Sequence, residues 1–206
     1  MIDVVLIDGG GANLGSVRYA LERLGARVRI SVEPAVINSA ARVILPGVGA
    51  AAVGMARLHE LGLVEVIRTL RQPLLGICLG MQLMYESSEE GDVECLGLVP
   101  GRVTRLAPRD RITDAPAVRV PHMGWNRLRA VRGHGLLADI DDGAQAYFVH
   151  GYAAPVGTAT LAIATHGCDF SAVVGDGLRF GAQFHPERSA AVGARLLRNF
   201  LSEAIA

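Results

Sequence analysis

Lysine is absent from this 206-residue sequence, because all 20 of its basic residues are arginines. Without lysine the chain cannot contain a P-loop lysine, a lysine Schiff base or a lysine general base. The usual kinases, nucleoside triphosphatases and pyridoxal-phosphate enzymes are thereby excluded. Twenty acidic residues balance the arginines, so the zero net charge gives no sign of a nucleic-acid or membrane partner.

Cysteine is scarce, and the three residues Cys78, Cys95 and Cys168 are too widely spaced to form a CxxC motif. This pattern argues against a disulfide framework or a zinc site, and we expect neither a metal nor a cofactor. No uncharged apolar run reaches the ~18 residues of a membrane span. The N-terminus lacks the basic region of a signal peptide, so we expect a cytoplasmic protein in a reducing setting.

Apolar runs alternate with helical periodicity along the first half of the chain. Strands are predicted over 2–7, 27–32, 42–45 and 74–77, and helices over 13–24, 50–70 and 81–86. Shorter strands are predicted at 102–106, 118–120, 146–149, 160–164, 172–174 and 180–184, before a last helix over 190–204. This order predicts one α/β domain over residues 1–206, with a mostly parallel central sheet flanked by helices and added β segments in the C-terminal half.

A cysteine between two glycines occupies the point where a predicted strand meets a helix. In Gly76-Ile-Cys78-Leu-Gly80 the small residues would allow a sharp turn around a nucleophile, as in the GxSxG elbow of hydrolases. The helix N-terminus would favour negative charge on the sulfur, and the N–H of Leu79 would stabilise an oxyanion. On its own, so short a motif more often marks a buried structural cysteine.

A histidine follows the apolar segment over 180–184 and opens the sequence His185-Pro-Glu187. Pro186 favours extended backbone at His185, and in an extended segment Glu187 would lean to the same side as the imidazole. Glu187 would then orient the ring as a general base for a thiolate. The competing interpretation is a loop that caps the helix beginning near Ser189.

The segment Pro46-Gly-Val-Gly49 ends another predicted strand, at the same edge of the sheet as the cysteine. Its glycines would let the backbone approach a ligand and present a second oxyanion donor. Equally, it could be an ordinary turn between a strand and a helix.

Taken in order, Pro46-Gly-Val-Gly49, Gly76-Ile-Cys-Leu-Gly-Met-Gln82 and Phe184-His-Pro-Glu187 resemble the class I (triad) glutamine amidotransferases. The resemblance extends over essentially the whole chain. It implies a catalytic triad in which Cys78 is the nucleophile, His185 the acid and base, and Glu187 the orienting carboxylate. It also implies backbone oxyanion donors at Val48 and Leu79. The implied substrate is L-glutamine, held by Gly49, Gln82, Glu90, Gly151 and Tyr152.

Further segments resemble the glutaminase subunits of imidazole glycerol phosphate synthase. The most discriminating is Val120-Pro-His-Met-Gly-Trp-Asn126, which contains the only tryptophan. This resemblance implies a heterodimer in histidine biosynthesis, in which a (β/α)8-barrel cyclase subunit receives the ammonia. The expected contacts with the cyclase are Asn13, Arg18, His122, Met123, Trp125, Asn126 and Arg188. One departure is Gly151, where the family usually has Ser or Thr.

Three other functions fit parts of the same pattern. A glutaminase subunit of another synthase, such as pyridoxal phosphate synthase, would share the chemistry but deliver ammonia to a different acceptor. A stand-alone cysteine hydrolase could act on γ-glutamyl peptides. A non-catalytic binding module on the same scaffold would not need Cys78, His185 and Glu187 together.

Overall fold

The computed structural model describes residues 2–10, 13–107 and 117–202. Its strands are β1 Asp3–Ile7, β2 Arg27–Ser31, β3 Arg42–Gly47, β4 Leu74–Cys78, β5 Tyr85–Ser88, β6 Val93–Glu94, β7 Val99–Arg105, β8 His122–Arg127, β9 Arg129–Ala130, β10 Gln145–His150, β11 Tyr152–Ala153, β12 Thr160–His166, β13 Cys168–Asp176 and β14 Arg179–Ala182. Its helices are α1 Leu14–Arg23, α2 Pro34–Asn38, α3 Ala51–Glu60, α4 Val64–Arg68, α5 Leu79–Leu83 and α6 Ala190–Leu201, with 3-10 turns at Gly135–Leu137 and Pro186–Arg188.

The central sheet has eight strands in the order β2-β1-β3-β4-β14-β13-β12-β9. Pairing is parallel from β2 through to β14 and antiparallel from β14 to β9. Two smaller sheets, β10-β8 and β11-β7-β5-β6, lie outside it. The predicted α/β fold with a mostly parallel sheet and added β segments is therefore confirmed.

Alternate residues of the central strands enter two different apolar clusters. In β1, Val4 and Leu6 join one cluster with residues of α1 and α6, whereas Val5 and Ile7 join the other with residues of α3. Successive side chains of a strand point to opposite faces, so helices cover both faces of the sheet. Both-sided burial explains why β1, β3 and β4 contain continuous apolar runs, whereas the edge strand β2 has no buried residue.

Some element predictions were wrong in their boundaries. The helix predicted over 50–70 is split into α3 and α4 around Gly62, which has a positive φ of 65°. The helix predicted over 81–86 is α5 followed by β5. The last helix ends at Leu201, and the predicted extension to 203–204 lies outside the described residues.

Two further segments were assigned wrongly. No strand forms over 118–120, and the strand is instead β8, which was not predicted. The short helix α2 begins at a proline and was not predicted. Among the described residues, no helix is both long and apolar enough to cross a membrane.

Candidate active site

Cys78 occupies a sharp turn between β4 and α5. Its backbone has φ 53° and ψ −111°, a conformation that is costly for a residue with a side chain. The flanking glycines are required by packing. A Cβ on Gly80 would lie 1.7 Å from the carbonyl oxygen of Leu45, and one on Gly76 would lie 2.6 Å from the Cα of Met81. The structure thus contains the elbow that the glycine spacing predicts.

The segment Pro46–Gly49 lies beside this elbow. Strands β3 and β4 are parallel neighbours, and Gly47 is paired with Cys78. A Cβ on Gly47 would approach the backbone nitrogen of Gly80 to 2.9 Å, so the two turns are packed together. Val48 and Leu79, the two predicted oxyanion residues, line the same recess as the cysteine.

His185 follows β14 in the extended conformation that Pro186 predicts, with φ −95° and ψ 98°. Glu187, by contrast, belongs to a 3-10 turn, so the expectation that the segment stays extended to that residue was wrong. The turn nevertheless brings the two side chains together, and His185 Nδ1 donates to Glu187 Oε1 at 2.9 Å. The Glu187 side chain is completely buried and also accepts a hydrogen bond from the Asn13 amide.

Ser189 holds the histidine backbone in place. Its hydroxyl donates to the carbonyl of His185 at 2.7 Å and accepts from the N–H of Tyr147 at 2.9 Å. The N–H of His185 in turn donates to the carbonyl of Tyr147 at 3.0 Å. Ser189 therefore anchors the loop to β10, and its side chain makes no capping hydrogen bond to α6.

The imidazole of His185 is set up to carry a proton. Burial lowers its pKa, but hydrogen bonds to Cys78 and Glu187, together with their negative charges, outweigh burial and raise the pKa of His185 to about 10. The ring is therefore an imidazolium at neutral pH in this pairing with the cysteine sulfur. Such a ring can give its proton to a leaving group.

A cavity of about 180 Å³ opens onto the cysteine. The residues that line it are Val48, Gly49, Cys78, Leu79, Gln82, Glu90, Val149, His150, Gly151, Tyr152 and His185. All five predicted substrate-binding residues are in this set. Glu90 also reaches the start of α3, where its Oε2 accepts from the N–H of Ala51 at 2.9 Å.

Gln183 is part of this site, although the sequence analysis did not identify it. Its side chain is completely buried, and its Nε2 lies 3.7 Å from Cys78 Sγ. Its Oε1 accepts from Gln82 Nε2 at 3.0 Å. The available signal was a lone amide side chain within the apolar segment that leads to His185.

The expected partner contacts fall into two groups on β8, whose side chains alternate between inside and outside. Met123 and Trp125 are 66% and 52% exposed. His122 is only 4% exposed and stacks on Phe148, so it cannot make the direct partner contact that the sequence predicted. Asn126 is half-buried and donates to the carbonyl of Thr165 at 2.9 Å.

The other expected contacts lie near the catalytic loop or on α1. Arg188 is exposed, and with Asn13 it lines a second recess that His185 also reaches. Arg18 is exposed on α1 and forms an ion pair with Glu22 at 2.9 Å. Arg188 and Asn13 are thus close to the triad.

Two buried histidines beneath the recess are neutral. Burial, reinforced by neighbouring imidazoles, lowers the pKa of His122 to about 3. Burial also lowers the pKa of His150 to about 4, although its hydrogen bond to the Tyr152 carbonyl partly opposes this shift. Within the described residues, no group of three or more His, Cys, Asp or Glu side chains could hold a metal ion.

We therefore expect an acid-sensitive fold. In the unfolded chain a histidine binds a proton near pH 6.5. In the folded protein His122 and His150 do so only near pH 3 and pH 4. The free energy of unfolding should fall between about pH 6.5 and pH 4, by up to about 1.4 kcal/mol per pH unit for each histidine. Urea unfolding measured across this range should give a free energy of unfolding that changes less steeply with pH in His122→Phe than in the wild-type protein. The substituted ring keeps the stack on Phe148. Equal slopes in the two proteins would contradict the assignment.

The comparisons with known proteins agree on one family. The sequence model of the family described as "Glutamine amidotransferase class-I" matches residues 5–204. The imidazole glycerol phosphate synthase subunit HisH of Xylella fastidiosa is 61% identical over 201 residues, covering 98% of both chains. The subunit of the same name from Xanthomonas euvesicatoria is 62% identical over 201 residues, again covering 98% of both.

Solved structures agree on the fold. A putative GMP synthase protein from Thermoplasma acidophilum superposes with a TM-score of 0.75 at 16% identity, covering 98% of this chain and 92% of that one. A glutamine amidotransferase from Thermotoga maritima gives a TM-score of 0.67 at 17% identity, covering 99% and 98%. With these matches, the chain belongs to the class I glutamine amidotransferases and, among them, to the HisH subunits of imidazole glycerol phosphate synthase.

Proposed function

We propose that this chain hydrolyses L-glutamine to glutamate and ammonia with a triad of Cys78, His185 and Glu187. The observation that carries the proposal is the position of His185, which contacts both other members at the edge of one small recess. Sequence membership in the amidotransferase family supports the same chemistry. One catalytic domain over residues 1–206 is the corresponding proposal for the organisation of the chain.

In the proposed mechanism, Cys78 attacks the side-chain amide carbon of glutamine. The N–H groups of Val48 and Leu79 stabilise the resulting oxyanion. His185 gives its proton to the departing ammonia and then activates the water that hydrolyses the thioester. Glu187 keeps the imidazole in the required orientation through its bond to Nδ1.

Substrate binding is assigned to the far side of the recess. Glu90 is proposed to face the α-ammonium of glutamine, while Gln82 and the backbone of Gly49, Gly151 and Tyr152 hold the rest. Position 151 has room for a larger residue, because a Cβ there would contact only the Pro121 side chain, at 3.9 Å. Packing therefore does not explain why position 151 lacks the hydroxyl group that the family usually has there.

The ammonia needs a protected route to its acceptor. Ammonia in water at neutral pH is mostly ammonium, which has no lone pair and is not a nucleophile. The relatives are named as subunits of a synthase, which supports an acceptor site on another polypeptide. The name of the relatives supports a synthase, and we propose that the partner is its (β/α)8-barrel cyclase subunit in a heterodimer.

Measuring glutamate release with and without the cyclase and its ribotide substrate tests this function. We expect strong stimulation by the loaded cyclase, because the ammonia is useful only when the acceptor is present. Stimulation by the synthase subunit of pyridoxal phosphate synthase instead would support that alternative. Activity on γ-glutamyl peptides that no partner changes would support the stand-alone hydrolase.

The exposed face of β8 provides a test of the docking site. Trp125 packs edge-on against Tyr147, with ring centroids 5.8 Å apart, and the Tyr147 carbonyl holds the backbone of His185. Tryptophan and arginine are frequent hot spots of interfaces. We expect Trp125→Ala to weaken cyclase binding by roughly 2 kcal/mol, about thirtyfold in Kd.

Titration of the variant against the cyclase measures this effect, with circular dichroism as the folding control. Val156→Ala is a matched control, because Val156 is an exposed apolar side chain on a loop outside β8. Unchanged affinity and stimulation in both Trp125→Ala and Arg188→Ala would place the docking face elsewhere.

A further inference from the structure

Gln183 is a polar side chain in an otherwise apolar setting. It follows β14, lies between Ala182 and Phe184, and has no exposure to solvent. A buried amide is costly unless its donors and acceptor are satisfied. Both ends of this one are satisfied within the site, by Cys78 and by Gln82.

The orientation of the Gln183 amide follows from its neighbours. The carbonyl of Tyr152 can only accept, so the Gln82 atom 2.8 Å away is the NH₂ group. The same NH₂ group faces Gln183 at 3.0 Å, so Gln183 presents its oxygen to Gln82. The NH₂ group of Gln183 must therefore face the cysteine sulfur, and flipping the amide would break this series of hydrogen bonds.

Two buried histidines fix the Tyr152 carbonyl, at which this series of hydrogen bonds begins. His150 Nδ1 donates to the Tyr152 carbonyl at 2.8 Å, which leaves its Nε2 as an acceptor while the ring is neutral. His122 Nδ1 donates to that Nε2 at 3.1 Å. The Tyr152 carbonyl is thus fixed by donors on two sides, and the Gln82 amide cannot turn without losing its partner.

Besides His185, the cysteine sulfur has two polar neighbours with opposite preferences. The carbonyl of Val149, 3.8 Å away, can accept from a thiol but repels a thiolate. The NH₂ group of Gln183 donates to the sulfur, and such a bond is stronger when the acceptor is charged. Of these two neighbours, Gln183 is therefore the one that favours the reactive, negatively charged form of Cys78.

We propose that Gln183 is a positioning residue for the nucleophile, acting on Cys78 Sγ through a hydrogen bond whose direction Gln82 and the Tyr152 carbonyl fix. This inference rests on the proposed function, because it assumes that Cys78 is the nucleophile. It adds a residue that acts on the sulfur directly and is separate from the His185–Glu187 pair.

The test is the pH profile of Cys78 alkylation by iodoacetamide in the full chain, measured by mass spectrometry of the Cys78 peptide. Gln183→Glu keeps the acceptor for Gln82 but replaces the donor to sulfur with a negative oxygen. We expect its profile to move to higher pH by about one pH unit, which lowers the rate by about tenfold at pH values below the midpoint of the profile. Gln145→Glu, the same change at an exposed position of β10, should leave the profile unchanged.

A second variant covers the case in which Gln183→Glu does not fold. Gln183→Met has similar length and no donor, and we expect a smaller shift in the same direction, about threefold in rate below the midpoint of the profile. Either variant, folded by circular dichroism and with the wild-type profile, would overturn the proposal. Failure of both to fold would also overturn it, because Gln183 would then serve stability.

The profile does not depend on glutamine turnover, so the two proposals can fail separately. If Cys78→Ala still hydrolysed glutamine, the proposed function would be wrong whatever Gln183 does. If Cys78→Ala were inactive and the Gln183 variants titrated like wild type, only the positioning role would fall. In folded Gln183→Glu we also expect kcat to fall more than KM rises.

Discussion

Replacing Cys78 with alanine should abolish glutamine-dependent synthesis by the complex, by about 10⁴-fold or more, while synthesis from added ammonia continues. The elbow places the only sulfur that lines the recess next to His185, among the residues the structure describes. Alanine removes this sulfur without adding atoms, so the surrounding packing and the partner face should persist. Assays of the reconstituted complex with glutamine or with ammonium salts measure the two reactions separately.

Cys168→Ala is the matched control, because it removes a thiol from β13 without touching the recess. It should retain both reactions. Glutamine-dependent synthesis by Cys78→Ala would refute the assignment of the nucleophile. Loss of the ammonia-dependent reaction would show that Cys78 also supports the partner's chemistry. That result would contradict the proposal that Cys78 acts only in glutamine hydrolysis.

Replacing His185 with alanine should be nearly as damaging as losing the cysteine. Members of a triad act as a unit, and removing the base leaves the nucleophile without a proton carrier. Glu187→Ala should cost roughly tenfold to a hundredfold less, because the carboxylate orients the ring and transfers no proton. Steady-state glutaminase kinetics of the complex would measure both effects as changes in kcat/KM.

His59→Ala is the control for this series, since His59 is exposed on α3, away from the recess. It should behave like the wild-type protein. A fully active Glu187→Ala would reduce the proposed triad to a Cys–His dyad. A fully active His185→Ala would contradict this role, since the other histidine that lines the cavity among the described residues is His150, which is neutral and already hydrogen-bonded.

Strands β1, β3 and β4 of the parallel half were predictable because they are buried on both faces. Such strands appear in the sequence as uninterrupted apolar runs, and β4 is buried along its whole length. The reactive turn was predictable for a different reason. Glycines two residues before and after Cys78 are needed where any Cβ would collide with neighbouring backbone.

Strand β8 was not predicted, because its apolar side chains face outward and its inward position is polar. The outward positions carry Met123 and Trp125, while the inward position carries His122, which hydrogen-bonds to His150. A period-two pattern predicts a strand only when its apolar residues face the core.

The contacts that complete the site were beyond the reach of a sequence motif. Gln183 and Asn13 contact Cys78 and Glu187 through side-chain geometry that depends on several distant segments. Neither residue has a fixed spacing from the group that it touches. The 3-10 turn at Glu187 is similar, because the motif His-Pro-Glu does not determine how the chain continues after the proline.

The central claim is that Cys78 is the nucleophile that attacks glutamine. Mass spectrometry after treatment with a glutamine-mimicking electrophile tests it most directly. Burial raises the pKa of the Cys95 thiol to about 11, so that residue should be protonated and slow to react at neutral pH. We predict a single adduct on Cys78 that excess L-glutamine suppresses; an adduct on Cys95 or Cys168 in its place would contradict the account.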